Sequence, residues 1–329
     1  MNNRRKLVLA LGAGALISPF ASFSQQQSKL WRIGFLGLGN AINTSSRVEA
    51  LRNGMRELGY VEEKHFVFDF RWAEGNYVRL PSLAVELVDL KVDVIVTHGS
   101  PGTHAAKNAT GTIPIVMAAG GDPVAEGIVA SFARPGGNIT GGTFFSPQIS
   151  AKRIELLKDA LPRLTQVAVL LHERADAISV NAILQLMESL ATTRKIALHK
   201  FTTQGIGDFE NAFAAMAKQR VGAVVIPEIL ALTINPKEIA ELAAKHRLPV
   251  AGNTELAQAG GMLGYGVNIL EMFRRAAYLI DRILNGTKPA DLPIEQATKF
   301  DLVANIRTAK VLGIKIPQSI LVRADKVIE

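Results

Sequence analysis

Val92-Asp93-Val94-Ile95-Val96-Thr97 runs directly into His98-Gly99-Ser100-Pro101-Gly102, and after a short helical stretch at 103–109 a second apolar run begins, Ile113-Pro114-Ile115-Val116-Met117-Ala118. Short continuous runs rich in β-branched residues are strands buried on both faces, the kind found in parallel sheets whose crossovers are helices. Toward the N-terminus, 79–90 carries Leu80, Leu83, Ala84, Leu87 and Val88 at i, i+3, i+4, i+7 and i+8, the spacing of one helix face. Before it, 66–72 reads as a strand, 45–58 as a helix with Leu51, Met55 and Leu58 on one side, and 31–37 as a first strand. The order β-α-β-α-β-α-β is that of a doubly wound sheet.

The same rhythm recurs: strand 166–171, helix 179–193, strand 196–201, helix 208–220, strand 223–227, helix 236–247 and strand 249–251. Two similar α/β domains in tandem suit a chain of 329 residues at roughly 150 residues per domain. Between them lies Arg134-Pro135-Gly136-Gly137-Asn138-Ile139-Thr140-Gly141-Gly142, dense enough in glycine and proline to mark a domain crossing. A second cluster, Gly260-Gly261-Met262-Leu263-Gly264-Tyr265-Gly266, precedes a long helix at 269–284. The C-terminal segment beyond that helix is too small for a domain and must dock on the other two, so the chain is expected to cross between them more than once.

Residues 1–24 read as an export signal. Arg4, Arg5 and Lys6 form a positive start, 7–17 is uncharged and apolar, Ser18-Pro19 breaks it, and Ser22 and Ser24 are the small residues of a cleavage site placed after Ser24. A membrane anchor is the alternative, but this run falls far short of the ~20 residues that span a bilayer. The Arg4-Arg5 pair also permits twin-arginine export. The formal net charge of +8 drops to +5 without this segment, and the remaining basic residues alternate with acids along helix faces, as in Glu49, Arg52, Arg56 and Glu57. That is a solvated face and not a nucleic-acid stripe. The chain has no cysteine, which excludes disulfides, thiolate metal sites, cysteine nucleophiles and a lipid on an N-terminal cysteine. A protein free in the periplasm is the expectation.

Several chemistries fail on spacing. Gly37-Leu38-Gly39-Asn40-Ala41-Ile42 comes after a strand, but Ile42 stands where a dinucleotide fingerprint has its third small residue, and Asp69 comes too late to hold a ribose. His98-Gly99-Ser100-Pro101-Gly102 resembles a nucleophile elbow, yet His98 replaces the first glycine and Pro101 lacks the N–H an oxyanion needs. The six histidines are scattered without metal-ligand spacing, and no Gly-rich segment ends in Lys-Ser or Lys-Thr. Neither cofactor nor metal is expected.

Open α/β sheets bind ligands beyond the carboxyl ends of their strands, so the loops that would face a site are 38–44, 98–103, 119–124, 172–176, 228–233 and 252–255. Ser100 and Thr103 open a helix, where hydroxyls and free amides could hold a carboxylate or simply cap. Asp122 comes after two glycines and could accept an ammonium or cap the next turn. Tyr265, between Gly264 and Gly266, is an aromatic on bare backbone that could face a cleft, while Trp72 ends a strand and seals the sheet edge.

Ordered blocks along the chain carry a resemblance: Gly59-Tyr60-Val61-Glu62, Arg71-Trp72-Ala73-Glu74-Gly75, Val92-Asp93-Val94-Ile95-Val96, Thr112-Ile113-Pro114-Ile115-Val116, Gly121-Asp122-Pro123-Val124, the segment 134–141, Leu312-Gly313-Ile314-Lys315-Ile316-Pro317 and Arg323-Ala324-Asp325-Lys326-Val327-Ile328-Glu329. Nearly the whole chain past residue 24 resembles the extracytoplasmic solute-binding components of ABC transporters related to the tryptophan/tyrosine-binding lipoproteins. The resemblance implies an α/β type I periplasmic-binding fold, two doubly wound parallel-sheet lobes joined by three hinge strands. Lobe one would be 29–141 plus 265–300 and lobe two 142–264 plus 301–329, with the third hinge strand near 299–305. It implies cleft residues at Asn40, Ser100, Asp122, Glu228, Tyr265 and Gly266, a monomer without cofactor, a small solute such as an amino acid or related organic acid, and transient contact with an inner-membrane permease. The rival expectations are an exported enzyme of dehydrogenase type and a ligand-sensing subunit for a membrane receptor.

Overall fold

The computed structural model describes residues 29–144, 147–175 and 177–329. Residues 1–24, which the sequence reads as an export signal, lie outside the described residues. The chain lays down β1 (Trp31–Gly37), β2 (Phe66–Trp72), β3 (Val94–Thr97), β4 (Ile115–Gly120) and β5 (Ile139–Thr143) in a first sheet. It continues with β6 (Gln166–His172), β7 (Ala197–Thr203), β8 (Ala223–Val225), β9 (Val250–Gly252) and β10 (Leu263–Gly266) in a second. β11 (Glu295–Gln296) returns to the first sheet, and β12 (Asp301–Asn305) and β13 (Lys326–Ile328) end the chain in the second. The sheet orders are β11-β5-β4-β3-β1-β2 and β13-β12-β10-β9-β8-β6-β7.

Helices α1 (Ser45–Glu57), α2 (Leu80–Asp89) and α3 (Gly99–Ala109) cover the first sheet. α4 (Pro147–Ala160), α5 (Ala177–Thr193), α6 (Phe209–Lys218), α7 (Leu230–Thr233), α8 (Pro236–Lys245) and α9 (Thr254–Ala259) belong to the second, and α10 (Ile269–Leu284) packs back on the first against α1. The double winding shows in the side chains of β3. Val94 and Val96 join Phe35, Phe273 and Ala277 on one face, and Ile95 joins Leu36, Leu87 and Ala106 on the other. Both faces are therefore dry, which is why these strands read as unbroken apolar runs. The second lobe has its own core around Val167, Val169, Val224, Phe213 and Met187.

Three crossings join the lobes among the described residues: between Thr143 and Pro147, between Gly266 and Ile269, and between Gln296 and Asp301. Gly266 pairs with Asp301 in the antiparallel β10–β12 ladder, because the chain leaves the second sheet and re-enters it at the same end. The glycine-dense stretch around 141–142 is not itself a linker. It is the end of β5, two residues further into the first lobe than its composition implies. A Cβ on Gly141, where φ is +149°, would stand 2.1 Å from the Met117 carbonyl oxygen, next to the register shift between Met117 and Gly120 on β4. Glycine is needed there for close approach at a bulge, not for flexibility. In the same way β10 extends through Tyr265 and Gly266 within the second sheet.

Candidate functional site

The two sheets face one another across their carboxyl ends and enclose a cavity of about 90 Å³, counted as space open to the centre of a water molecule. The first lobe contributes Arg47, Tyr77, His98, Gly99, Ser100, Pro101, Ala119 and Gly121. The second contributes Ser150, Ala175, Val180, Ile183, Glu228, Ile229, Leu230, Thr233, Asn253, Thr254 and Glu255, while Phe144, Val267 and Ile269 come from the crossings. One water needs roughly 10–15 Å³ of such space, so the cavity holds several water-sized groups. Its walls are mainly aliphatic and aromatic, with a few convergent polar groups.

The lobes touch around this cavity. Arg47, in the first turn of α1 and 4 % exposed, donates from Nη2 to Glu255 Oε2 at 2.5 Å and to the Thr233 carbonyl at 3.2 Å. Its Nε lies 3.4 Å from Glu255 Oε1. Glu255 opens α9 in the second lobe, so this ion pair spans the cleft. Tyr77 of the first lobe lies on His172 of the second, ring centroids 5.2 Å apart. Burial pushes the Tyr77 phenol up to about 12, against the opposing hydrogen bond with the Ala231 backbone. Leu230 fills the space beside Gly99, where a Cβ would come 2.5 Å from its Cδ2. The lobes are closed.

α3 presents its N-terminus to the cavity. His98 precedes it with extended backbone (φ −145°, ψ 150°) and supplies no side-chain cap, and Gly99 makes the turn at φ +71°. First-turn amides without a side-chain cap, at the positive end of the helix dipole, favour an anion. His98 is 2 % exposed and packs against Phe35 and Phe273, and its buried Nε2 has no hydrogen-bond partner. Burial, with the Arg47 charge second, lowers its pKa from 6.5 to about 3, so the imidazole is neutral.

Opposite stands Glu228, after β8. One carboxylate oxygen, Oε1, accepts from the buried guanidinium of Arg153. The other makes no hydrogen bond among the described residues. Glu255 differs, since both of its oxygens engage Arg47. The cavity thus offers an acceptor for a cation at Glu228 and donors for an anion at α3, within an apolar shell.

Of the residues singled out in the sequence, Ser100 and Glu228 line this cavity. Thr103 is buried one turn into α3, which starts at Gly99, and its hydroxyl donates to the Gly99 carbonyl at 2.9 Å. The Asn40 side-chain oxygen accepts from the amides of Ile42 and Asn43, and the Asp122 carboxylate accepts from those of Val124 and Ala125. Both brace their own loops. The Tyr265 ring lies 6.1 Å from that of Phe300, and it is the Tyr265 carbonyl that faces Arg153. A Cβ on Gly266 would lie 3.2 Å from Arg153 Nη2 and 3.3 Å from Glu228 Oε1. Of the strand-end loops, 98–103, 119–124, 172–176 (through Ala175), 228–233 and 252–255 meet here, and 38–44 does not line the cavity. Arg47, Tyr77, Asn253 and Glu255 carried no individual signal; Arg47 and Glu255 sit 208 positions apart. Trp72 stacks on Phe70 along edge strand β2, centroids 5.5 Å apart. No group of three or more metal-ligating side chains occurs among the described residues.

Two parallel-sheet α/β lobes with a cavity at their carboxyl ends define the type I periplasmic-binding fold. The chain belongs to the family of ABC transporter substrate binding proteins, whose profile matches residues 43–328. It is 25 % identical over 287 residues to a tyrosine-binding protein of Clostridioides difficile (strain R20291), covering 85 % of this chain and 81 % of that one. A conserved domain protein from Vibrio cholerae is similar in structure at TM-score 0.82 and 27 % identity, over 91 % of this chain and 100 % of that one. The ABC domain from Streptococcus pneumonia in complex with L-Trp superposes at TM-score 0.82 and 22 % identity with the same coverage. The family is one of substrate-binding proteins and not of enzymes, and this chain is a member of it. No helix among the described residues is long and apolar enough to cross a membrane.

Proposed function

We propose that the protein is the solute-binding component of an ABC importer and that its solute is an amino acid with an apolar side chain, held between the lobes as a zwitterion. The carboxylate meets the α3 amides near Ser100, the ammonium meets the open oxygen of Glu228, and the side chain lies among Ile183, Ile229, Leu230 and Phe144. The observation that carries this reading is the apposition, across one closed cavity, of an uncapped helix N-terminus and a half-satisfied carboxylate. The amino-acid-binding relatives support it. A ligand drives closure only through contacts that need both lobes at once, and these two groups sit on opposite lobes. The closed surface then engages a permease in the inner membrane, with the chain exported by residues 1–24 and acting as a monomer in the periplasm.

Thermal shift against the twenty amino acids and small organic acids tests the reading. A true ligand at 100 times its Kd stabilises the fold by about 2.7 kcal/mol. An unmoved melting temperature across the panel would sink it.

A further inference from the structure

Arg153 is the largest fully buried side chain among the described residues, yet it carries a charge. Its guanidinium is shared among three acceptors. Nε and Nη2 donate to the Tyr265 carbonyl at 2.8 and 2.7 Å, Nη1 donates to the Ile226 carbonyl at 2.7 Å, and Nη2 also donates to Glu228 Oε1. Tyr265 belongs to β10, one residue before the chain crosses back to the first lobe, and pairs with Leu302 of β12, just past the third crossing. Ile226 and Glu228 come after β8 and lead into the cavity loop. Arg153 itself sits in α4, the helix that opens the second lobe after the first crossing. It does not line the cavity.

We propose that Arg153 is a positioning residue: it fixes the Glu228 carboxylate toward the ligand and locks that carboxylate to the hinge strand β10. This rests on the reading of Glu228 as the receiver of the ligand's cationic end. A planar fork with separate donors is required, because the three acceptors lie in different directions and a lysine ammonium, one nitrogen on a flexible stem, cannot reach them together. One Glu228 oxygen is held by the fork, which aims the other at the cavity. Gly266 completes the arrangement. A Cβ there would press against both Arg153 Nη2 and Glu228 Oε1, at 3.2 and 3.3 Å. The role accounts for the conjunction of a buried cation, a bare glycine and a cavity-facing carboxylate at the point where the lobes join.

The test is a double-mutant cycle with Arg153→Lys and Glu228→Gln, reading by calorimetry the Kd for whichever of the twenty amino acids gives the wild-type chain its largest thermal shift, alongside the thermal midpoint. Each single variant should weaken binding about tenfold, and the double variant no further than Glu228→Gln alone, since both act through one carboxylate. Should Arg153→Lys fail to fold, Gly266→Ala sets a Cβ against both Arg153 Nη2 and Glu228 Oε1 while keeping both residues and should weaken binding in the same direction. A merely structural arginine would lower the midpoint and leave Kd unchanged. That result, or effects of Arg153→Lys and Glu228→Gln that multiply, overturns the proposal. A wild-type chain that binds none of the twenty amino acids is a different failure: it removes the reading of the site on which the proposal rests, and the proposal with it.

Discussion

Arg47→Met cuts the main polar tie between the closed lobes. With the lobes shut, it leaves Glu255, whose side chain is 17 % exposed, without the guanidinium that engages both its oxygens. Stranding one member of a fully buried pair costs about 3–5 kcal/mol, and the residual hydration of Glu255 brings this case down to about 2 kcal/mol. In the open form Glu255 is rehydrated and the cost vanishes, so the substitution biases the ligand-free protein toward opening by about thirtyfold. Ligand must then close the lobes against that bias, and its Kd weakens by up to the same factor. The absence of native cysteine allows spin labels at introduced cysteines replacing Val78 and Ile206, which are 64 % and 52 % exposed on opposite lobes. Their distance distribution should lengthen in Arg47→Met. The pair replaced together, Arg47→Met with Glu255→Leu, should recover most of the closed population, because no charge is left buried alone. An Arg47→Met protein with unchanged distances and unchanged Kd would refute the reasoning.

His98 and Gly141 give two further expected outcomes. His98 has its pKa depressed to about 3 in the folded chain against an ordinary 6.5, so between these values the unfolded chain binds a proton that the folded one refuses. Its contribution to stability is complete above pH 6.5 and is lost as pH falls toward 3, by at most about 1.4 kcal/mol per pH unit; His98→Gln should flatten that acid limb in urea titrations, and identical limbs would contradict the assignment. Gly141→Ala forces a Cβ to 2.1 Å from the Met117 carbonyl at a φ of +149° and should destabilise the first lobe by about 3 kcal/mol or more, whereas an unchanged urea midpoint would show that the β4–β5 bulge tolerates a side chain.

The architecture was legible wherever β-rich apolar runs and helical periodicity stand out. β1, β2 and α10 lie where the apolar runs and the helical periodicity put them. β5 and β10 were harder, because glycine there serves close packing against Met117 and Arg153, and in a sequence that use looks the same as a flexible joint. The site was legible at the level of loops and much less at the level of side chains. Ser100 and Glu228 sit at strand ends that must face the cleft, so topology alone nominates them. Asn40 and Asp122 occupy equivalent ends but satisfy amides of their own turns, a choice made by local backbone geometry. Arg47 lies within a helical pattern, where a basic residue reads as a solvated face, and Arg153 lies in α4, a helix the sequence reading did not place. Only the folded structure turns them inward against Glu255 and Glu228.

The central claim is that the interlobe cavity holds an amino acid between α3 and Glu228. A crystal structure of the chain grown with the amino acid giving the largest thermal shift tests it most directly. The account predicts density within the cavity, the ligand carboxylate at hydrogen-bond distance from the first-turn amides of α3 and the ammonium at the free oxygen of Glu228. A ligand seated elsewhere, or one in the cavity that leaves Glu228 without contact, would contradict it.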